Sequence, residues 1–178
     1  MKKVNLKSKV VPNITILYLE DDLIVRNSIE RTLKLVVKNV YTVSNGIEAL
    51  ELIQTGIKID FVISDIRMPK MDGLSFVEEL QKRGLNVPVI ITTAFNELEY
   101  LTKAIDLKVE KFIQKPVNLK ILLEKVTSLS KDLIEKNELR KKRVQLKNYK
   151  KAITLTNFVI DYNVQNNITC FSNGLGSY

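Results

Sequence analysis

The sequence predicts an α/β fold, a doubly wound five-stranded parallel sheet in the order 2-1-3-4-5 followed by a long C-terminal helix, and three observations predict it. Short apolar runs alternate with amphipathic stretches five times before residue 118. The runs are apolar nearly throughout, as in strands that helices cover on both faces. Beyond residue 118 the pattern changes to that of one long helix, with neither Gly nor Pro through residue 155.

The strands, in order, are "ITILYL" (14–19), "VYTV" (40–43), "DFVIS" (60–64), "VPVIIT" (87–92) and "KFIQ" (111–114). Between them, "LIVRNSIERTLKLV" (23–36) puts Ile24, Ile29, Leu33 and Val36 roughly on one helical face. "SNGIEALELIQ" (44–54) follows with Ser44 or Asn45 as its cap, and "GLSFVEELQKRG" (73–84) and "NELEYLTKAIDL" (96–107) are the third and fourth helices. Right-handed crossovers bring every strand's C-terminal end to one edge, where ligands of such sheets bind.

After Asn118, Leu122, Val126, Leu129 and Leu133 are spaced 4, 3 and 4, a heptad seam that weakens through "RKKRVQLKNYKK", where Leu146 and Ile153 are again seven apart. The expected divisions are an N-terminal extension (1–12), the α/β domain (13–128), a helical, coiled-coil linker (129–155) and a fragment of a following domain (156–178) with short β-like runs.

Composition excludes several classes. The chain has 178 residues, no histidine and a single cysteine, Cys170. It therefore carries no internal disulfide, no Cys/His zinc site, no imidazole base and no phosphohistidine. No apolar run approaches the ~18 residues that span a bilayer, and the basic N-terminus lacks the apolar core of a signal peptide, so a cytoplasmic location is expected. The net charge of +8 is uneven: residues 1–118 hold 17 Lys and Arg against 15 Asp and Glu, and residues 119–178 hold 11 against 5. The basic excess belongs to the tail, where a charge run usually marks a solvated helical face.

The acids are placed more tellingly. Glu20, Asp21 and Asp22 follow the first strand, and Asp65 ends the third, its neighbour in the 2-1-3-4-5 order. Near 4 Å, like charges cost roughly 1 kcal/mol per pair in water and about 4 kcal/mol at an effective dielectric of 20, so such a cluster calls for a cation. Oxygen donors in small number suit Mg2+. Thr93 ends the fourth strand and Lys115, held extended by Pro116 and with a cis bond as an option, follows the fifth. Acid, hydroxyl and ammonium at one edge are the parts of a phosphoryl-transfer site. Each taken singly has a plainer reading: Asp21 or Asp22 as a helix cap, Thr93 as a loop hydroxyl, Phe112 as core.

Four stretches, "ILYLEDDLIVR", "VISDIRMPKMDG", "VIITTAF" and "FIQKP", resemble in order the receiver domains of bacterial two-component response regulators, over about residues 13–128. The resemblance implies a flavodoxin-like sheet and a switch phosphorylated on Asp65. It implies Mg2+ held by Glu20, Asp21, Asp65 and the backbone carbonyl of Arg67, with Asp22 a non-coordinating neighbour. Thr93, Ala94 and Lys115 would meet the phosphoryl group, and Phe112 would be the switch aromatic. The implied partner is a sensor histidine kinase or phosphotransfer protein. A homodimer would form through the C-terminal helix and the face made by the fourth helix, fifth strand and fifth helix. No membrane and no nucleic acid are expected as partners; the domain's own chemistry is its phosphorylation and dephosphorylation, and an enzymatic domain further along a longer protein stays open.

The chain departs from the family at Lys108-Val109, where many receivers carry Gly-Ala, and Arg67 and Phe95 are bulky neighbours of the phosphorylation site. The last thirty residues resemble the opening of a PAS sensor domain. Two other classes fit the sequence less well. A magnesium-dependent phosphatase needs a second acid two residues after the first, where Arg67 stands. A DNA-binding regulator needs a compact domain after residue 128, which the heptads there disfavour.

Overall fold

The structure, a computed structural model, describes residues 11–94 and 98–165. Its strands are β1 (Val11–Leu19), β2 (Val37–Val43), β3 (Phe61–Asp65), β4 (Val89–Thr93) and β5 (Lys111–Gln114). Its helices are α1 (Leu23–Leu33), α2 (Gly46–Gln54), α3 (Gly73–Lys82), α4 (Leu98–Asp106) and α5 (Leu119–Gln165). The five strands form one parallel sheet in the order β2-β1-β3-β4-β5, as the alternation of runs predicts.

Both faces of the sheet are covered. Leu17 and Leu19 point to one side of β1 and Ile16 and Tyr18 to the other, and all four are fully buried. The first pair joins a cluster with Ala49, Val62, Phe76, Leu80 and Ile91. The middle strands β3 and β4 are buried at every position, which is why their sequences show no period-two alternation.

The differences from expectation lie at the ends. β1 begins at Val11 rather than residue 14, and its register with β2 shifts between Val11 and Thr15. Pro12, which cannot donate to a ladder, sits within that shift. β2 begins at Val37, its first half an exposed edge (Lys38, Asn39) that hydropathy alone leaves unread.

Helix starts follow local chemistry. Asp22 caps α1, accepting from the Ile24 and Val25 amides at 2.8 and 3.0 Å. Asn45, not Ser44, caps α2 through the Ile47 and Glu48 amides, while Glu48 reaches back to the Ser44 amide at 2.9 Å, in the manner of a capping box. Asp72 caps α3 by accepting from Ser75 N at 2.7 Å. The Lys115-Pro116 bond is cis.

Lys108, which follows α4, has φ of 53°, the left-handed region that side chains with a Cβ resist. A glycine, with no Cβ, would relieve that resistance. Lys108→Gly is therefore expected to raise stability by about 0.5–1 kcal/mol, read from urea melts; no gain would place the residue outside the left-handed region in solution.

α5 carries the largest correction. Asn118 caps it, accepting from Lys120 N at 3.0 Å. Leu122, Val126 and Leu129 are buried and Leu133 is half-buried, so the expected coiled-coil seam is consumed by packing within the compact unit Met1–Leu133. The second unit, Ile134–Tyr178, exposes Leu139, Leu146, Tyr149 and Ile153. Residues 156–165 are helical, not β-like. With no Gly or Pro between residues 117 and 173, nothing in the local sequence stops a helix already propagating. The remainder of the expected PAS-like fragment, residues 166–178, and most of the N-terminal extension lie outside the described residues.

Candidate functional site

The C-terminal edge of the sheet gathers the chemistry. β1 pairs with β3 in parallel, Leu19 opposite Ser64, so the residues that follow each emerge side by side. Glu20, Asp21 and Asp65 each offer a carboxylate oxygen within 4.8 Å of the others. Glu20 is 2% exposed and Asp65 6%, while Asp21 is exposed to solvent. Asp22 turns into its capping role.

Lys115 arrives from the far end of the sheet. Its backbone N–H donates to the Thr93 carbonyl at 2.8 Å, extending the β4–β5 ladder by one residue. Its ammonium donates to Asp65 Oδ2 at 2.7 Å and to Glu20 Oε2 at 3.1 Å. Asp65 Oδ1 accepts from the Ile66 amide at 2.8 Å.

The electrostatics follow. Burial raises the Glu20 carboxyl above its ordinary value and Asp65 raises it further, while Lys115 opposes both. For Lys115, burial disfavours the ammonium, but the hydrogen bond and charge of Asp65, joined by Glu20, outweigh burial and raise its affinity for the proton. The acids thus bind a cation already, a protein one. Hard oxygen donors, two of them largely desolvated, also fit a small divalent ion, and Mg2+ suits so few protein ligands.

The backbone around Asp65 is pinned on several sides. Gly73 N donates to the Ile66 carbonyl at 2.9 Å, and a Cβ on Gly73 would collide with the Asp65 carbonyl oxygen. Gly46 N donates to the Met71 carbonyl at 3.1 Å, and Met71 packs so close to Gly46 that a side chain there would overlap its Sδ and Cγ. The β3–α3 loop that carries Arg67 is held between α2 and α3 in this way.

Thr93 is nearly buried, its hydroxyl donating to the Ala94 carbonyl at 3.2 Å. Phe112 is half-buried against the core cluster. Arg67 is exposed, at the start of the β3–α3 loop. Glu20, Asp21 and Asp65 are thus brought into mutual reach, Lys115 bridges Glu20 and Asp65, and Thr93 ends the adjoining strand with Ala94 after it. Phe95 lies outside the described residues.

Two residues escaped the sequence reading. Tyr18, fully buried, donates its hydroxyl to Glu20 Oε2 at 3.2 Å, and its own proton is held tightly because burial and the Glu20 charge disfavour a phenolate. A period of two along β1 puts it on the same side as Glu20, a signal that could have found it. Arg26 Nη1 donates to the Glu20 and Asp21 carbonyls, fixing the turn that presents both acids.

The family described as response regulator receiver domain matches residues 16–127. A cyclic di-GMP phosphodiesterase of Thermotoga maritima is 33% identical over 114 residues, 64% of this chain and 30% of that protein. A response regulator MprA of a Mycobacterium species is 31% identical over 116 residues, 65% of this chain and 50% of that one. The chain thus spans half or less of the length of these curated relatives. Among solved structures, the receiver domain of Francisella response regulator 1452 superposes with a TM-score of 0.61 at 28% identity, covering 67% of this chain and 98% of that domain. The N-terminal domain of a Wolinella succinogenes protein gives 0.65 at 29% identity, covering 69% and 98%. No helix among the described residues is long and apolar enough to cross a membrane. With the sheet order, the clustered acids and the match over residues 16–127 in agreement, the chain belongs to the response regulator receiver domain family of two-component systems.

Proposed function

We propose that Asp65 is the phosphoacceptor of this receiver and that its phosphorylation is the signal the chain transmits. The observation that carries this reading is one buried carboxylate, Asp65, within 4.8 Å of two others and 2.7 Å from the Lys115 ammonium. A carboxylate oxygen of Asp65 attacks the phosphorus of a phosphohistidine on a kinase or phosphotransfer partner. An O–P bond forms, the N–P bond breaks, and the partner's imidazole leaves with the electron pair and takes up a proton. Lys115 neutralises charge on the transferred oxygens. Glu20, Asp21, Asp65 and the Arg67 carbonyl would hold Mg2+, which supplies further positive charge there when bound. Thr93, at the adjoining strand end, donates to the phosphoryl oxygens with the Ala94 amide, and Phe112 moves into the room the threonine leaves. The receiver's own chemistry is its phosphorylation and dephosphorylation, in the cytoplasm.

Incubation with a small acyl or amido phosphate and Mg2+ is expected to add one phosphoryl group to the wild type and none to Asp65→Asn, read by intact-protein mass spectrometry. Equal labelling of both would overturn the reading.

Output runs through α5. Leu139, Leu146 and Ile153 repeat at seven residues with Tyr149 beside them, all exposed, and they support pairing with a second copy as a parallel coiled coil, together with the α4-β5-α5 face. Stepping by sevens from Leu122 and Leu129 instead reaches Lys136, Arg143 and Lys150, so the helix has one face for its own domain and another for the twin. Residues 1–178 are expected to be dimeric and residues 1–133 monomeric by light scattering; a monomer in both cases removes the coiled coil.

A further inference from the structure

Tyr18 poses a question that packing does not answer. A phenylalanine would fill the same volume without a polar atom to satisfy, yet a hydroxyl lies here in a side chain with no exposed surface. Its acceptor is Glu20, the most buried acid of the three-carboxylate cluster.

Two donors converge on Glu20 Oε2: the Tyr18 hydroxyl at 3.2 Å and the Lys115 ammonium at 3.1 Å. Among the described residues Oε1 has only the longer contact to Lys115, at 3.4 Å. The two donors differ in charge. A dication entering among these acids repels the ammonium, whereas a phenol is neutral and keeps its hydrogen bond.

We propose that Tyr18 is a positioning residue for the cation site, its hydroxyl occupying Oε2 and so holding Glu20 in the rotamer that leaves Oε1 for the metal. Without it, Glu20 is steered by Lys115 alone, the one partner that a cation displaces. The proposal rests on the reading of Glu20 as a Mg2+ ligand, and it goes further by naming what orients that ligand.

Calorimetric titration with Mg2+ tests it on the full chain as wild type, Tyr18→Phe, Glu20→Gln and the double variant, alongside cation-free thermal melts. Loss of one hydrogen bond to a charged group is expected to weaken the Mg2+ Kd of Tyr18→Phe about tenfold. In the Glu20→Gln background the same change is expected to have no further effect, because its route through the carboxylate is gone. An unchanged Kd, with or without a lower melting temperature, would make the tyrosine structural only. Equal weakening in both backgrounds would mean that it does not act through Glu20. A wild type that binds no Mg2+ would overturn the metal reading and this proposal together, whereas wild-type binding with an unchanged variant overturns the tyrosine's role alone.

Discussion

Lys115→Met is expected to destabilise the cation-free protein by about 2–4 kcal/mol, and saturating Mg2+ is expected to return most of that loss. The ammonium lies between Glu20 and Asp65, which are 3% and 9% exposed at their side chains. Removing it leaves two desolvated anions facing one another, and burial already disfavours the charged form of Glu20. A divalent cation at the same oxygens replaces the missing charge. Urea melts with and without MgCl2 measure both terms; a loss of the same size in either condition would mean that the acids do not form a cation site. Phosphoryl uptake should fall as well, by about a hundredfold, since Mg2+ does not occupy the place of the ammonium over the transferred group.

Gly73→Ala is the second large effect, and it acts through the backbone. The added methyl would meet the Asp65 carbonyl oxygen and lie 2.7 Å from Ser64 Oγ. Neither neighbour can yield cheaply: Ser64 is fully buried and donates to that same carbonyl at 2.8 Å, and β3 is paired on both sides. Overpacking against a fixed strand is expected to cost about 2–3 kcal/mol. It should also lower the rate of phosphoryl uptake more than tenfold at temperatures where the variant is folded, because the strand end that moves is the one carrying Asp65. Normal uptake by a destabilised variant would show that the Gly73 contact serves stability alone.

How far the sequence could be read depended on where the information sits. Strand order and the clustering of Glu20, Asp21, Asp65 and Lys115 were legible because a parallel sheet sends every strand end to one edge, and each of these residues directly follows or ends an apolar run. Tyr18 was not, since an aromatic in an apolar run reads as core, and its hydroxyl meets Glu20 only in the folded chain. The start of β1 was hidden by Pro12-Asn13, which look like a turn but lie in a register shift. The α5 seam failed for a more general reason. A 4-3-4 spacing marks an apolar face, and the same face serves for packing on one's own domain or on a twin; burial of Leu122, Val126 and Leu129 decides for the former. The tail misled because "FVIDYNV" has strand-like composition, while a helix entering from residue 119 meets no breaker before it.

The central claim is that this chain carries its signal as an acyl phosphate on Asp65. Borohydride reduction of the phosphodonor-treated protein, followed by peptide mass spectrometry, locates such a group directly, because an aspartyl phosphate is reduced to homoserine while phosphoserine and phosphothreonine are left intact. Homoserine at position 65, dependent on Mg2+, is the predicted result. A phosphoryl group retained on Ser64 or Thr93, with Asp65 unreduced, would contradict it.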